Sequence, residues 1–245
     1  MSRIVLVNAS CADQTVDAVV NAANDGLRAG GGICGVIFRK AGVAALTAAC
    51  RKFRTPLKDG SAVITPAFQM KNARYIIHAV GPDFGKTPKA FRELFDAYYN
   101  SLYVLMDNGL HSISFPLISS GIFGGSLANP VAESTKQCCR AYLKFISDYP
   151  AYDVDVKVCA FSSQAMQEAK RVFGSMIEEN SESTNRDVPS MSVEDYLFFK
   201  SAYENDPVAR AAMDAEGITF PDEAMEREIR EWNRKHRESE KIHGV

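Results

Sequence analysis

The stretch VDAVVNAANDGLRAGGGICG at residues 16–35 joins an apolar, β-branched run to a glycine triplet. The run ends in the NAAN sequence at residues 21–24, and the triplet at residues 30–32 comes just before a helical pattern. Small residues at a strand-to-helix turn leave backbone N–H groups bare beside the positive end of the helix, and this arrangement favours a phosphate. The stretch therefore predicts a strand, a phosphate-binding loop and a helix, in that order.

A second loop of the same kind, SSGIFG at residues 119–124, follows an apolar run that ends at Phe115. It lies about 90 residues beyond the first loop in the chain. Two loops that each favour a phosphate predict a ligand with two linked phosphates. A nucleotide diphosphate is the kind of ligand that we expect.

Either loop alone also has a purely structural interpretation, because glycine is the usual residue in tight turns. The triplet is not followed by the Lys-Ser or Lys-Thr of a Walker loop, and it lacks the G-x-G-x-x-G spacing of a dinucleotide site. The phosphate hypothesis therefore depends on the two loops occurring together, with asparagines beside the first.

The composition favours a soluble intracellular protein. A net charge of −2 argues against a general affinity for nucleic acid. No apolar run reaches the roughly 18 residues that cross a bilayer, and the first apolar segment is too short for a signal peptide. Six cysteines without C-x-x-C spacing predict reduced thiols, so we expect a cytoplasmic protein that makes no membrane contact.

Strand-like and helix-like segments alternate through the first 180 residues. The strand candidates are short and mostly apolar on both faces, which is typical of a sheet covered on both sides. The alternation predicts a three-layer α/β domain that binds its ligand at the carboxyl ends of the strands, where both glycine loops fall. Strands are predicted at Val16–Val20, Ala62–Thr65, Tyr75–Ala79, Ile113–Phe115 and Val154–Ala160, and helices at 35–52, 88–108, 129–147 and 163–179.

The chain is predicted to divide into a ligand-binding domain at residues 1–180, a linker at 181–191 and an all-helical extension at 192–245. Polar, turn-forming residues mark the linker. Within the extension, Asp206-Pro207 forms a capped helix start with proline at the first helical position. Two interpretations of the extension stay open: solvated helices packed on the parent domain, or an appendix that binds a protein partner or gates substrate.

The first domain resembles a macrodomain. The run at 16–24, the glycine triplet, the IHAVGP sequence at 77–82 and the loop at 119–123 occur in that family's order and spacing, from about residue 2 to about residue 179. The resemblance implies a three-layer α/β/α fold with a mixed sheet flanked by helices. It also implies a site for ADP-ribose or an ADP-ribosylated protein, and some members of the family hydrolyse ADP-ribose conjugates.

The resemblance assigns roles to individual positions. Asn24 matches the asparagine that contacts the distal ribose beside the bond that hydrolytic members break; the alternative is a turn asparagine bonded to its own backbone. Asn21 matches the first asparagine of the motif, and we favour a structural role for it. Phe161 falls where the family often stacks an aromatic ring on adenine, with a core phenylalanine as the alternative. The residues implied around the phosphates and the distal ribose are Gly30, Gly31, Gly32, Ile33, Ser119, Ser120, Gly121, Ile122 and Phe123.

Two positions depart from the family pattern. Cys34 stands where many hydrolytic macrodomains have an aspartate that orients the attacking water, and a thiol is a poor substitute for a carboxylate base. Ser10 stands where the family usually has an aspartate that accepts a hydrogen bond from adenine. Asp25 is the carboxylate nearest to Cys34 in sequence, and Asp13 is a candidate to compensate for Ser10.

No metal and no cofactor are expected from the pattern of histidines and cysteines. The four histidines have no paired spacing, and neither a Ser-His-Asp nor a Cys-His order is present. His78 lies in an apolar strand, where a hydrogen-bonded core histidine is the better interpretation.

Three functions stay open at this point. The first is an enzyme that removes ADP-ribose from modified proteins or deacetylates O-acetyl-ADP-ribose, with Asn24 positioning a water. The second is a module that binds ADP-ribose without chemistry, which Cys34 favours. The third is a protein-interaction scaffold whose helical extension covers the cleft.

Overall fold

The computed structural model describes residues 2–177 and 200–215. Its strands form one mixed sheet in the order β1-β6-β5-β2-β4-β3, in which every neighbouring pair is parallel except β3 with β4. This sheet confirms the predicted fold class. The strands are β1 (Arg3–Val7), β2 (Val16–Ala23), β3 (Ala62–Pro66), β4 (Ala73–Val80), β5 (Ser112–Pro116) and β6 (Asp155–Cys159).

Helices cover both faces of the sheet and give the molecule two apolar cores. One core joins α1 and α2 to side chains such as Val19 and Ile76, and the other joins α3, α4 and α5 to the neighbouring Val20 and Ile77. Adjacent residues of one strand thus point into opposite cores, which is why β2 and β4 are apolar on both faces. The helices are α1 (Gly32–Ala41), α2 (Val43–Cys50), α3 (Phe91–Asp107), α4 (Pro130–Asp148), α5 (Ser163–Met176) and α6 (Pro207–Ala215).

The prediction of one helix over 35–52 was wrong. The helical pattern begins at Gly32 and is broken at Gly42, which has a φ of +87°. That angle lies outside the range that a right-handed helix allows, so α2 leaves α1 at an angle of 106°. Within residues 2–177 and 200–215 no single helix is long and apolar enough to cross a membrane, although this bent pair passes the same test when its two helices are taken together.

Side-chain caps begin two helices where the sequence predicts them. The backbone N–H of Ala132 donates to Asn129 Oδ1 at 2.9 Å, just before Pro130 opens α4. The N–H of Ala209 donates to Asp206 Oδ1 at 3.2 Å at the start of α6. The predicted linker at 181–191 lies outside the described residues, as does most of the predicted extension.

The parallel strands carry their carboxyl ends to one edge of the sheet. The loops after β2, β4, β5 and β6 therefore emerge side by side, although up to about 140 residues of chain separate them. This edge is where an open α/β sheet offers a crevice for a ligand.

Candidate functional site

A cavity of about 390 Å³ opens at this edge of the sheet, within the size range of small-molecule sites. The segments that follow β1, β2, β4, β5 and β6 all contribute to its wall. Of the site residues predicted from sequence, all but Asn21 line it. Those lining residues are Ser10, Asn24, Gly30, Gly31, Gly32, Ile33, Cys34, Ser119, Ser120, Gly121, Ile122, Phe123 and Phe161.

The first glycine loop presents bare backbone to the cavity. Gly31 is the N-cap of α1 and offers no side-chain cap, so the first N–H groups of the helix lack the partner that a capping residue would supply. A Cβ added at Gly31 or Gly32 would meet no atom within 4 Å, which means that both residues face open space. Gly32 also has a φ of +56°, an angle that favours glycine.

The second loop is held rigidly by the helices behind it. The buried hydroxyl of Tyr98, on α3, accepts a hydrogen bond from Ile118 N at 2.8 Å, and Ser134 Oγ, on α4, donates to Ile118 O at 2.7 Å. Ser119 has a φ of +57°, unusual for a residue with a side chain, and its Oγ donates to Pro82 O at 2.8 Å. These bonds fix the loop in place before any ligand arrives.

The second loop does not lead directly into a long helix, contrary to the pattern expected from sequence. It forms a short 3₁₀ turn at Ile122–Gly124, and α4 begins only at Pro130. A helix dipole at this loop is therefore small, and its contribution to a phosphate site is that of individual N–H groups. The wall contains no Asp, Glu, Lys, Arg or His among its described residues, so backbone groups would have to carry the phosphate contacts.

Asn24 both closes a turn and lines the cavity, the two alternatives that its sequence position allows. Its Nδ2 donates to Arg28 O at 2.7 Å, and its Oδ1 accepts from Arg28 N at 3.0 Å, so the side chain closes a turn on its own backbone. Because an amide has two donor hydrogens and two acceptor positions, each end keeps one free for a ligand or a water. The side chain is half-buried and lines the cavity.

Cys34 lies beside Asn24 at the first turn of α1. A Cβ added at Gly30 would sit 3.7 Å from Asn24 Nδ2 and 3.9 Å from Cys34 Sγ, so one glycine backbone separates the two side chains. Burial raises the pKa of the Cys34 thiol, although hydrogen bonds with Asn21 and Gly30 oppose this rise. The thiol is therefore neutral at pH 7 and cannot act as the carboxylate does in other members of the family that it resembles.

Among the described residues of the wall, no carboxylate takes the place of the aspartate expected at Cys34. Asp25 is exposed and is absent from the described wall of the cavity. Asp13, the candidate to compensate for Ser10, forms an ion pair with Lys40 and also lies outside that wall. Ser10 itself lines the cavity, and its Oγ accepts a hydrogen bond from Ala12 N at 3.2 Å. A lone pair of that oxygen remains for a ligand donor.

Asn21 lies beneath the cavity in a buried polar cluster with His78. Asn21 Nδ2 donates to His78 Nδ1 at 3.1 Å, and His78 Nε2 therefore carries the ring proton, which faces Thr65 Oγ1 at 3.0 Å. His78 has no exposed surface, which confirms the predicted core histidine, and burial lowers its pKa to about 4. Asn21 Oδ1 finds no hydrogen-bond partner within the described part of the chain.

The sequence predicted the start of α6, but none of the residues of this helix was among the predicted site residues. Ala209 and Met213 of this helix line the cavity, although they lie about 85 to 90 residues beyond the second glycine loop and past the predicted linker. Gly81 lines it as well, and a Cβ there would come within 2.4 Å of both Ile118 and Ser119. The motif at 77–82 contains Gly81 and could have indicated it. An extension over the cleft was one of the open alternatives, but no pattern in the sequence indicated which of its residues would line the cavity.

Comparison with known proteins finds macrodomains among the relatives and the similar structures. The family model described as Macro domain matches residues 20–134. A Salmonella typhimurium protein named O-acetyl-ADP-ribose deacetylase is 37% identical over 162 residues, which cover 64% of this chain and 87% of the relative. The Oceanobacillus iheyensis macrodomain, solved with ADP, matches with a TM-score of 0.65 and 31% identity over 72% of this chain and 93% of that one.

A second solved structure, the Trypanosoma brucei macrodomain in complex with ADP-ribose, has a TM-score of 0.60 and 30% identity. The match covers 70% of this chain and 69% of that one. The family model ends at residue 134, well before α6 begins at Pro207.

Proposed function

The chain belongs to the macrodomain family, and on that premise we propose that it binds ADP-ribose between the two glycine loops and hydrolyses a bond at the distal ribose. We assign this function to residues 1–180, with 181–191 as a linker and 192–245 as an extension. The substrates that we propose are O-acetyl-ADP-ribose or proteins that carry a single ADP-ribose. The names of the Salmonella typhimurium relative and of the Trypanosoma brucei complex support this choice.

One observation carries the proposal: the two glycine loops line the same cavity, and this cavity has no charged side chain among its described lining residues. A dianionic ligand in such a cavity would have to be held by backbone N–H groups and by the positive end of α1. Gly31 and Gly32 leave open space for one phosphate, and the 119–122 segment faces it from the other side. Because two separate loops each offer backbone N–H groups to the cavity, a diphosphate fits the site better than a single phosphate does.

The strand order divides the lining residues into two groups that fit the two ends of ADP-ribose. Phe161 and Ser10 follow the neighbouring strands β6 and β1, and they offer a ring face for adenine and a hydroxyl oxygen. Asn24 and Phe123 follow the neighbouring strands β2 and β5, and they offer an amide and a ring edge for the distal ribose.

The proposed chemistry is attack by water, without a protein carboxylate. The free acceptor position of Asn24 Oδ1 holds the water, and a phosphate oxygen of the bound ligand takes its proton. For O-acetyl-ADP-ribose, the water oxygen bonds to the ester carbonyl carbon, and the ester bond to the ribose oxygen breaks. The phosphate returns the proton to that ribose oxygen, and acetate and ADP-ribose leave. Holding the water and the ester together supplies most of the rate enhancement.

We predict that Asn24→Ala lowers kcat/KM for O-acetyl-ADP-ribose roughly tenfold or more, because the water loses its acceptor. The measurement is release of acetate, or of ADP-ribose from a modified protein, with purified full chain. Calorimetry with ADP-ribose is the control, since Asn24 also closes the turn at Arg28. A variant that loses activity through a disordered turn would lose binding by a similar factor, whereas loss of the water lowers kcat by a larger factor than it weakens binding.

A non-catalytic reader of ADP-ribose is the second candidate, and the neutral Cys34 thiol favours it. The same pair of assays separates the two functions. Wild-type chain that binds ADP-ribose but releases no product at high enzyme concentration is a reader. Wild-type chain that does not bind ADP-ribose at all contradicts both functions and leaves the scaffold.

A further inference from the structure

Helix α6 borders the proposed ligand cavity with an apolar face. Ala209 and Met213 lie four residues apart, so they share one face of the helix, and both line the cavity. Met213 is only 7% exposed and belongs to the same apolar core as α1 and α2. The helix also contacts the 122–124 turn of the second glycine loop.

Polar contacts hold α6 in a fixed position relative to the helical residues 200–205 before it. Tyr203 Oη donates to Asp214 Oδ1 at 2.7 Å, while the Arg210 guanidinium donates to the carbonyl oxygens of Tyr203 and Glu204 at 2.8 and 2.9 Å. Tyr203 is half-buried against the core that contains Met213. The charged side of the helix is thus tied down, and its apolar side faces the cavity.

The helix borders the cavity and does not fill it. A segment that occupied the place of the ligand would leave no space between itself and the glycine loops, yet about 390 Å³ remains there. Ile122, on the turn that α6 contacts, is still 55% exposed, so the rim of the site is accessible. These observations indicate that α6 lines one side of the site and does not block it.

We propose that α6 is a third wall of the site, and that it restricts the site to small, free ADP-ribose derivatives. This inference rests on the proposed function, which places the distal ribose beside Phe123 in the 122–124 turn. A protein attached to the distal ribose would have to leave the cavity past this turn, and α6 packs against the turn. O-acetyl-ADP-ribose is small enough to fit between the walls, whereas the surface of a folded protein would meet α6.

Two alanines of α6 provide a matched test of the wall. Ala209 lines the cavity and Ala211 is exposed, so the same substitution at each changes helix propensity equally. We expect Ala209→Phe to weaken ADP-ribose binding by roughly tenfold, since the ring enters the cavity, and Ala211→Phe to change it less than about twofold. Calorimetry on the full chain measures both, and equal affinities would overturn the inference.

The substrate restriction is tested with ADP-ribose joined through its distal ribose to a carrier protein by a non-hydrolysable linker. Wild-type chain should bind this conjugate at least about tenfold more weakly than free ADP-ribose. Met213→Gln places a polar group at a buried apolar contact and should loosen α6, which reduces that ratio to less than about threefold. Equal affinities in the wild type would contradict the restriction, and wild-type chain that binds neither ligand would contradict the proposed function itself.

If Ala209→Phe does not fold, the matched pair Ala209→Leu and Ala211→Leu replaces the two phenylalanine variants in the calorimetric test of the wall.

Discussion

Gly125→Ala is expected to lower the free energy of unfolding by at least about 3 kcal/mol, the largest effect of any single methyl group that we predict for this chain. Gly125 has a φ of +50°, so alanine there is strained by its own backbone. A Cβ would also lie 2.1 Å from Gly85 N and 2.6 Å from Gly85 Cα. Neither backbone atom can move away unless the whole loop that contains Gly85 moves with it. The hydrogen bond from Phe84 N to Phe123 O, 2.8 Å long, ties the same two segments together.

Gly109→Ala is the matched control for this prediction. Gly109 has a similar φ of +63°, but a Cβ there would meet no atom within 4 Å. Its substitution should cost about 1 kcal/mol, the cost of the backbone angle alone. Urea unfolding of the two variants measures the difference, and equal losses would show that the contact with Gly85 is not tight. Because Gly125 follows the 122–124 turn, the variant should also bind ADP-ribose more weakly than Gly109→Ala.

The second large effect concerns stability in acid. His78 is buried and neutral, with a pKa lowered from 6.5 to about 4. The unfolded chain therefore takes up a proton at a higher pH than the folded chain does. The contribution of neutral His78 to the free energy of unfolding is fully present above about pH 6.5. It is lost as the pH falls to about 4, which lowers the free energy of unfolding by about 3 kcal/mol.

His78→Gln should remove this part of the pH dependence. The measurement is the free energy of unfolding in urea at pH 7, 5.5 and 4, for wild type and variant. We expect the variant to lose about 3 kcal/mol less than wild type between pH 7 and pH 4, whatever its stability at pH 7. His111→Gln, at the exposed histidine that stacks on Tyr152, is the control for replacing a histidine outside the core. Parallel curves for His78→Gln and wild type would contradict a neutral, buried His78.

Local periodicity was sufficient to predict five of the six strands, and β1 at Arg3–Val7 was not among them. Runs such as Ala18–Val20 are apolar at every position because each successive side chain enters a different core. The break at Gly42 was missed, because an isolated glycine within a helical pattern is compatible with a continuous helix. Its φ of +87° depends on how α2 packs, and this packing is not a local property of the sequence.

The candidate site was predicted where its residues follow strand ends, and it was missed where a distant segment folds back. Ser119 and Gly31 come directly after strands or before a helix, so topology alone brings them together. Met213 reaches the same cavity through a tertiary contact. A single methionine on a charged helix does not indicate which part of the chain it packs against. Asp13, the candidate to compensate for Ser10, lies outside the described wall and pairs with Lys40, 27 residues later, a contact that local sequence does not indicate.

Calorimetric titration of the full chain with ADP-ribose and with AMP tests the central claim most directly. The two glycine loops should hold two linked phosphates, so we predict saturable binding of one ADP-ribose per chain. AMP, which lacks the second phosphate and the distal ribose, should bind at least about tenfold more weakly. Absence of ADP-ribose binding, or equal affinity for the two nucleotides, would contradict a diphosphate site between the loops.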